Sequence, residues 1–261
     1  FFSYAVDLLT GFFAKAGTRL EWLLARQEIM AIPELWKLWR RFRQSPEAGW
    51  TIREDDALRL YRLILRYRPR SILELGTGIG LSASVMALAL KRIGGGRITS
   101  LEQLPKCGER ASALIDAELQ RFIEIIHAKP IIYQLNYISK WVHFCGYDWA
   151  PPAGERYDFL LVDGPAGWIK NGELVSLDSG DVFRWLPHLQ KGCRVYVDGR
   201  RSTVKKLKRY LSHHLRIEDQ TSEFTLFEVA VPASSPADVK IVDRKLVGAG
   251  NAKIPYAGAE V

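Results

Sequence analysis

Two hydrophobic periods alternate along most of the chain. Short runs rich in β-branched and aromatic residues have the pattern of buried strands, and longer segments between them carry apolar residues at helical spacing. The predicted strands are ILEL (72–75), RITSLE (97–102), FIEIIH (122–127), YDFLLVD (157–163), CRVYVD (193–198) and FTLFEVA (224–230). The predicted helices of this region are 81–92, 105–120, 180–190 and 202–214. Such alternation predicts an α/β, Rossmann-like, doubly wound and mostly parallel sheet with helices on both faces.

A different pattern precedes this alternation. Residues 18–45 carry apolar residues at helical spacing, and Pro33 breaks this segment or begins a second helix. SPEAGW (45–50) has the composition of a linker, and Thr51 is the predicted cap of a helix that runs through Tyr67. From Pro232 onward no clear period is visible. The predicted organisation is a helical N-terminal extension (1–50), a main domain (51–231) and an extended C-terminal tail (232–261).

The positive charge is concentrated in one segment. The formal net charge is +8, and residues 200–216 contain seven lysines and arginines and no acid. This segment is predicted to be either a solvated helix face or a contact for phosphates or lipid headgroups.

Composition narrows the class of protein. A hydrophobic content of 48% supports a sizeable core, and three scattered cysteines favour neither a disulfide framework nor a zinc site. No apolar stretch reaches the roughly 18–20 residues that span a bilayer. We therefore expect a cytoplasmic protein. The tryptophans and arginines of ELWKLWRRFR (34–43) predict either peripheral membrane contact through the N-terminal helices or docking of this helix on its own domain.

The predicted strands end in a recurring kind of residue. The first runs into Gly76-Thr77-Gly78-Ile79-Gly80, and three others end in Glu102, Asp163 and Asp198. Ligands bind outside the carboxyl ends of parallel strands, and glycines let a ligand approach the main chain. A glycine turn of this kind by itself leaves NAD, nucleotides and S-adenosylmethionine open as ligands.

The glycine spacing and its neighbours resemble a known superfamily. G-x-G-x-G preceded by Glu74 resembles motif I of class I S-adenosylmethionine-dependent methyltransferases and departs from the dinucleotide fingerprint G-x-G-x-x-G. Glu102 stands where that family places the carboxylate that binds both ribose hydroxyls, although an NAD enzyme would also have an acid there.

Downstream motifs strengthen the resemblance. GERYDFLLVDGPAG (154–167) resembles the fourth-strand motif of O-methyltransferase-like members, and CRVYVDGRRS (193–202) resembles their fifth-strand motif. HAKP (127–130) and YDWAPP (147–152) are similar to segments of bacterial methyltransferases found among glycan-assembly genes. The resemblance covers about residues 52–230.

The resemblance implies S-adenosylmethionine as the cofactor. The residues that it implies for cofactor binding are Glu74, Gly76, Thr77, Gly78, Gly80, Glu102 and Asp163. In this family the position of Glu74 lies close to the methionyl ammonium group. The catalytic candidates are Asp163, as a general base or as a residue that orients the cofactor amine, and His127, because it ends a strand.

The resemblance also raises the question of a metal ion. Catechol-type O-methyltransferases hold a divalent metal with the fourth-strand Asp and an Asp-Asn pair after strand five. Asp163 and Asp198 match the two acids, but Gly199 stands in place of the Asn. A hard cation needs several oxygen ligands, so we favour a metal-free enzyme or a weak site.

Three hypotheses for the function follow. The first is methylation of an oxygen atom of a small-molecule or carbohydrate acceptor, with the N-terminal helices and the 166–180 loop as acceptor walls. The second is an RNA methyltransferase that uses the 200–216 segment, although Asp163-Gly164-Pro165-Ala166 lacks the Asn/Asp-Pro-Pro-Tyr motif of adenine-amino methyltransferases. The third is a non-catalytic S-adenosylmethionine-binding or scaffold domain.

Overall fold

The computed structural model describes residues 26–137, 140–165, 168–170, 173–175, 178–234 and 239–243. The helices are α1 (Pro33–Arg43), α2 (Glu54–Tyr67), α3 (Leu81–Ile93), α4 (Pro105–Leu114), α5 (Ala117–Gln120), α6 (Asp181–Trp185) and α7 (Arg201–Tyr210), with 3-10 turns at Ala48–Trp50 and Leu186–His188. The strands are β1 (Ser71–Leu75), β2 (Arg97–Glu102), β3 (Ile123–His127), β4 (Pro130–Tyr137), β5 (Lys140–Tyr147), β6 (Tyr157–Val162), β7 (Trp168–Lys170), β8 (Glu173–Val175), β9 (Leu189–Asp198), β10 (Leu215–Gln220), β11 (Phe224–Val229) and β12 (Val239–Asp243).

The main sheet has seven strands in the order β10-β11-β9-β6-β1-β2-β3. Strands β3, β2, β1, β6 and β9 are parallel, whereas β11 and β10 continue the sheet in antiparallel pairing. The strand order reverses between β1 and β6, which is where a crevice forms in sheets of this kind. The predicted Rossmann-like, mostly parallel sheet is confirmed.

Both faces of the sheet are covered, as a parallel sheet requires. Every residue of β1 is buried, and its side chains alternate, with Ile72 in one hydrophobic core and Leu73 in the other. The first core is completed by α1, α2 and α3, and the second by α6, α7 and the strands β4 and β5. No helix in the described part of the chain is long and apolar enough to cross a bilayer.

Helix α1 docks on the main domain. Pro33 begins this helix, and Leu35, Leu38 and Phe42 lie in the first core. The predicted docking of this helix on its own domain is thus observed, and the predicted peripheral membrane contact stays a prediction. Residues 1–25, which include the first part of the predicted extension, lie outside the described residues.

The predicted linker is part of the folded domain. Residues 48–50 form a 3-10 turn, and Arg110 of α4 donates hydrogen bonds to Glu47 and Ser45 at 3.2 Å each. The predicted cap was wrong, because the Thr51 hydroxyl donates to the carbonyl of Ala48 and α2 begins after Arg53. Contacts with side chains that are distant in sequence therefore fix residues 45–50, although their composition predicted a linker.

Several element boundaries also differ from prediction. The predicted helix 105–120 is interrupted at Ile115 and Asp116, which have extended backbone, and Asp116 forms an ion pair with Arg41 of α1. The predicted helix 180–190 ends earlier, because β9 begins at Leu189 and pairs there with Tyr157 of β6. Tertiary contacts override local propensity at both places.

A second, antiparallel sheet was not predicted. It has the order β12-β4-β5, so part of the C-terminal tail is extended, as expected, but is paired with β4. The third sheet, β7-β8, lies in the predicted 166–180 loop. Residues 244–261 lie outside the described residues.

Candidate active site

A cleft of about 340 Å³ lies at the carboxyl ends of β1, β2, β6 and β9. Its lining residues are Gly49, Thr51, Ile52, Gly76, Gly78, Glu102, Gln103, Leu104, Tyr147, Asp163, Gly164, Asp198 and Arg200. The acids and the glycine turn that sequence places at separate strand ends therefore share one cavity. This is the switch point in strand order between β1 and β6.

Gly76 makes a close contact between two strand ends. Its φ is +97°, and a Cβ atom at this position would lie 2.9 Å from the backbone nitrogen of Gly164 and 3.0 Å from the carbonyl carbon of Asp163. Real Cβ atoms do not approach backbone this closely. The end of β1 and the segment after β6 therefore touch main chain to main chain, and a side chain at residue 76 would separate them.

Gly80 and Thr77 support the glycine turn from behind and do not line the cleft. Gly80 has a φ of +92°, and a Cβ there would meet the Cβ of Ala111 at 3.0 Å and the side chain of Ile115. Thr77 is buried and shares a 2.6 Å hydrogen bond with Ser100. The structure thus gives Gly80 a packing role against α4. The predicted cofactor contacts of Gly80 and Thr77 stay predictions.

Glu102 binds the glycine turn through its carboxylate. Gly78 donates its backbone N–H to Oε2 at 2.7 Å, and Leu104 donates its N–H to Oε1 at 2.8 Å. Burial raises the pKa of Glu102, and these backbone donors oppose the shift. Each carboxylate oxygen can accept more than one hydrogen bond, so Glu102 keeps acceptor capacity at the cleft.

Glu74 lies beneath the glycine turn and not on the cleft wall. It is fully buried and accepts hydrogen bonds from the hydroxyls of Ser82 and Ser100. Burial raises its pKa to about 7. Its predicted proximity to the methionyl ammonium group stays a prediction, and its observed contacts tie β1 to α3 and β2.

Asp163 lies at the opening of the cleft, beside Arg200. The guanidinium of Arg200 donates to the carbonyl oxygens of Asp163 and Pro165, the latter at 3.1 Å, and lies 4.0 Å from Asp163 Oδ1. Desolvation raises the pKa of Asp163, while Arg200 lowers it. The side chain keeps 42% of its exposure, so water offsets part of the desolvation.

Asp198 is the second acid on this side of the cleft. Burial, together with the nearby charges of Asp163 and Asp56, raises its pKa to about 8, and Arg200 and Arg59 act in the opposite direction. The residues that would form a catechol-type metal site do not fit one, because Gly199 has no ligand atom in its side chain. Among the described residues, no group of three or more His, Cys, Asp or Glu side chains could hold one ion.

His127 is placed outside the cleft. Its Nδ1 lies 3.1 Å from the carbonyl oxygen of Glu102, and the residue is exposed at the end of β3. The strand end alone made it a candidate. It does not line the cavity that contains Asp163, and its predicted catalytic role stays a prediction.

Several lining residues were missed by sequence reasoning. Tyr147 lies against Gly164, and its backbone N–H donates to the buried carboxylate of Asp181 at 3.0 Å. Arg200 lies in the basic segment and in the motif CRVYVDGRRS (193–202), and neither of them predicts its place on the cleft wall. Thr51 and Ile52 have no local signal, because only the docking of the N-terminal segment brings them to the cleft.

Comparisons with known proteins agree with this arrangement. Residues 73–200 match the family model of a methyltransferase domain. A Klebsiella pneumoniae protein assigned as an O-methyltransferase has 14% sequence identity and a TM-score of 0.52, over 80% of this chain and 97% of that chain. A Staphylococcus aureus protein assigned as a caffeoyl-CoA O-methyltransferase has 15% identity and a TM-score of 0.53, over 79% of this chain and 99% of that chain.

A third structure, the Bacillus cereus O-methyltransferase in complex with S-adenosylhomocysteine, has 15% identity and a TM-score of 0.45, over 78% of this chain and 90% of that chain. No curated protein matches the sequence. At these identities the structural likeness establishes the fold and leaves the acceptor open.

Proposed function

We propose that this chain is an S-adenosylmethionine-dependent methyltransferase that acts on an oxygen atom of a small-molecule or carbohydrate acceptor, because residues 73–200 match a methyltransferase-domain family and the sheet has the fold of known O-methyltransferases. The observation that supports the proposal is a single cleft with two unlike sides. One side has the glycine turn and Glu102, and the other has Asp163, Asp198 and Arg200. The first suits a nucleoside and the second suits a hydroxyl group that must lose a proton.

The cofactor side is built from backbone and one carboxylate. S-Adenosylmethionine supplies a methyl group already activated on a sulfonium, so the protein has to bind and orient it. Gly76 and Gly78 leave the main chain open to the cleft, and Glu102 offers acceptors for the two ribose hydroxyls. We assign the ribose to Glu102 and the amino-acid end to the glycine turn.

The acceptor side has to position a hydroxyl group and accept its proton. Holding an oxygen at near-attack distance from a methyl carbon can supply about 7–11 kcal/mol of the barrier reduction. We place the acceptor hydroxyl beside Asp163, whose carboxylate would take the proton while the methyl group passes from the sulfonium sulfur, which leaves as a neutral thioether, to the acceptor oxygen. Thr51, Ile52 and Tyr147 line the same cavity and form part of its wall.

Replacing Glu102 with alanine tests the placement of the cofactor. We expect its affinity for S-adenosylmethionine to fall by about 1–3 kcal/mol, the cost of lost charge-assisted hydrogen bonds. Isothermal titration calorimetry measures the change, and Glu102→Gln should give a smaller loss because it retains one acceptor oxygen. Glu124→Ala, an exposed acid on β3, is the matched control. Unchanged affinity in Glu102→Ala would place the ribose elsewhere.

The acceptor class is tested by transfer of a labelled methyl group. Sugars and phenols are the first acceptors to screen, with methylated product identified by mass spectrometry. Transfer to a carbon or nitrogen acceptor in preference to an oxygen would contradict the proposal. Cofactor binding without transfer to any acceptor would favour the non-catalytic, scaffold alternative.

One observation favours the RNA alternative. Lys205, Lys208 and Arg209 are exposed on α7, and none of the ion pairs found among the described residues joins them to an acid. If RNA is the acceptor, its affinity should fall steeply with salt and fall again in a Lys205→Gln/Lys208→Gln variant. Equal binding by this variant and the native protein would leave these cations as a solvated helix face.

We also propose a cytoplasmic setting, since all three cysteines are free thiols.

Helix α1 buries its apolar side, so peripheral membrane contact through it would rest on its remaining surface. Trp36 and Trp39, which stack at 5.3 Å, are half-buried and pack against the first core, whereas Arg40 and Arg43, which lie over their rings, are exposed.

A further inference from the structure

Arg200 is the one cation among the described residues that line the cleft, and it shares this cavity with the acids Glu102, Asp163 and Asp198. We infer that Arg200 is a built-in cation that takes the place of a divalent metal ion beside Asp163 and Asp198. In that place it is a positioning residue, which holds the segment after β6 so that Asp163 faces the acceptor. The inference deepens the proposed function and rests on it for the role of Asp163.

The first support is the way Arg200 is held. Its guanidinium donates to two carbonyl oxygens of one short segment, those of Asp163 and Pro165, and its side chain is only 21% exposed. A planar guanidinium that bridges two acceptors fixes their separation better than a lysine does. Arg200 directly precedes α7, so the end of β6 is fastened to the start of that helix.

The second support is the close fit of Gly164 within the same segment. The backbone of Gly164 contacts Gly76 and the side chain of Tyr147, with no room for a Cβ atom. The segment 163–165 therefore contacts Gly76 and Tyr147 through Gly164, and contacts Arg200 through the carbonyl oxygens of Asp163 and Pro165. Removing the guanidinium leaves the contacts of Gly164 in place, which predicts a shift of Asp163 without loss of the cleft.

The third support is the charge in the cleft. Asp163 and Asp198 repel one another, and Glu74, Asp56 and Glu102 add to the negative field at Asp163. Arg200 is the cation that opposes this field at both acids, and Arg59 acts in the same direction at Asp198. A compensating positive charge is thus already part of the chain at the acid pair.

A metal ion does not fit beside this arrangement. The position of the third ligand is Gly199, and the guanidinium 4.0 Å from Asp163 would repel a divalent cation. In this chain the guanidinium of Arg200 therefore supplies the positive charge next to the two acids that match the metal ligands of catechol-type enzymes.

The activity test compares substitutions at two adjacent arginines. Arg200→Met is expected to lower kcat about 10–100-fold while the dissociation constant of S-adenosylmethionine changes little. Arg200→Lys should recover part of kcat, because lysine keeps the positive charge but lacks the planar guanidinium that bridges the two carbonyl oxygens. Arg201→Met is the matched control, since Arg201 is exposed and donates to the carbonyl of Ser222. Equal losses in kcat and cofactor affinity in Arg200→Met, or no change in either, would overturn the inference.

A second measurement does not need turnover and separates this inference from the proposed function. Electron paramagnetic resonance of added Mn²⁺ should detect no ion bound to the native protein in the millimolar range. Stoichiometric Mn²⁺ binding that is lost in Asp198→Asn would overturn the inference, even if no acceptor has been found. If the native enzyme transfers methyl groups, EDTA should leave kcat unchanged, and loss of activity restored by Mg²⁺ would be equally contrary.

Discussion

Asp163→Asn is expected to lower kcat for methyl transfer by about 10²–10⁴-fold, the range for loss of a general base. The affinity for S-adenosylmethionine should change little. Asparagine preserves the size of the side chain, and the backbone of residue 163 keeps its bonds to Leu75 and Arg200. Single-turnover kinetics and calorimetry on the same variant measure the two quantities separately.

A matched control lies at the other end of the same strand. The Asp158 carboxylate accepts the backbone N–H groups of Arg70 and Ser71, at 2.8 and 2.9 Å, far from the cleft. Asp158→Asn should lower stability but leave kcat close to that of the native enzyme. If Asp163→Asn lowers turnover and cofactor affinity by the same factor, Asp163 binds the cofactor and is not the base.

The role of Asp163 also predicts the pH dependence. A base must be deprotonated, so kcat/KM should fall as the pH falls through the pKa of Asp163. Desolvation in the cleft raises that pKa above its ordinary value of 3.8. The acid limb of the profile is therefore expected at a higher pH than for an ordinary aspartate. A profile measured on Asp163→Asn should lack this limb. An acid limb that persists there would belong to another group.

Gly76→Ala is expected to lower the free energy of unfolding by about 2–5 kcal/mol. Overpacking against Gly164 and Asp163 contributes about 1–3 kcal/mol, because the atoms that a Cβ would meet are backbone and cannot rotate away. The positive φ adds about 1–2 kcal/mol for any residue with a Cβ. Cofactor affinity should fall as well, since the turn has to move. Chemical denaturation and calorimetry provide the two readouts.

Gly94 provides the control for Gly76. It has a similar φ of +89°, but a Cβ there would have no neighbouring heavy atom within 4 Å. Gly94→Ala should therefore cost only the backbone part, about 1–2 kcal/mol. Equal losses in the two variants would show that the contact between the strand ends β1 and β6 adds nothing to stability.

The central part of the fold was predictable from sequence for a physical reason. Strands β1, β2, β6 and the second half of β9 are mostly buried, so their apolar runs are dense, and their ends are marked by Gly76, Glu102, Asp163 and Asp198. The hairpin β4–β5 was not predicted, although β4 has an alternation that is typical of a strand. Its buried residues Ile131, Tyr133 and Leu135 alternate with less buried residues. Strand β10 carried little signal, because it is the exposed edge strand and is mostly polar.

The site was predictable only in part. Glycine positions can be read from sequence, but their different roles cannot. Gly76 allows a backbone contact, Gly78 donates to Glu102, and Gly80 makes room for α4. The contributions of Tyr147 and Arg200 depend on which segments the fold brings together, and no spacing rule states that.

The docked N-terminal segment has a consequence for how the protein can be divided. Gly49, Thr51 and Ile52 line the cleft, yet all three precede residue 73, where the match to the methyltransferase family begins. A fragment cut to residues 73–200 would keep the glycine turn and the acids, but it would lose the first two residues of β1 and the part of the cavity wall that precedes residue 73. The smallest fragment that retains the whole cleft is therefore longer than the part of the chain that matches the family.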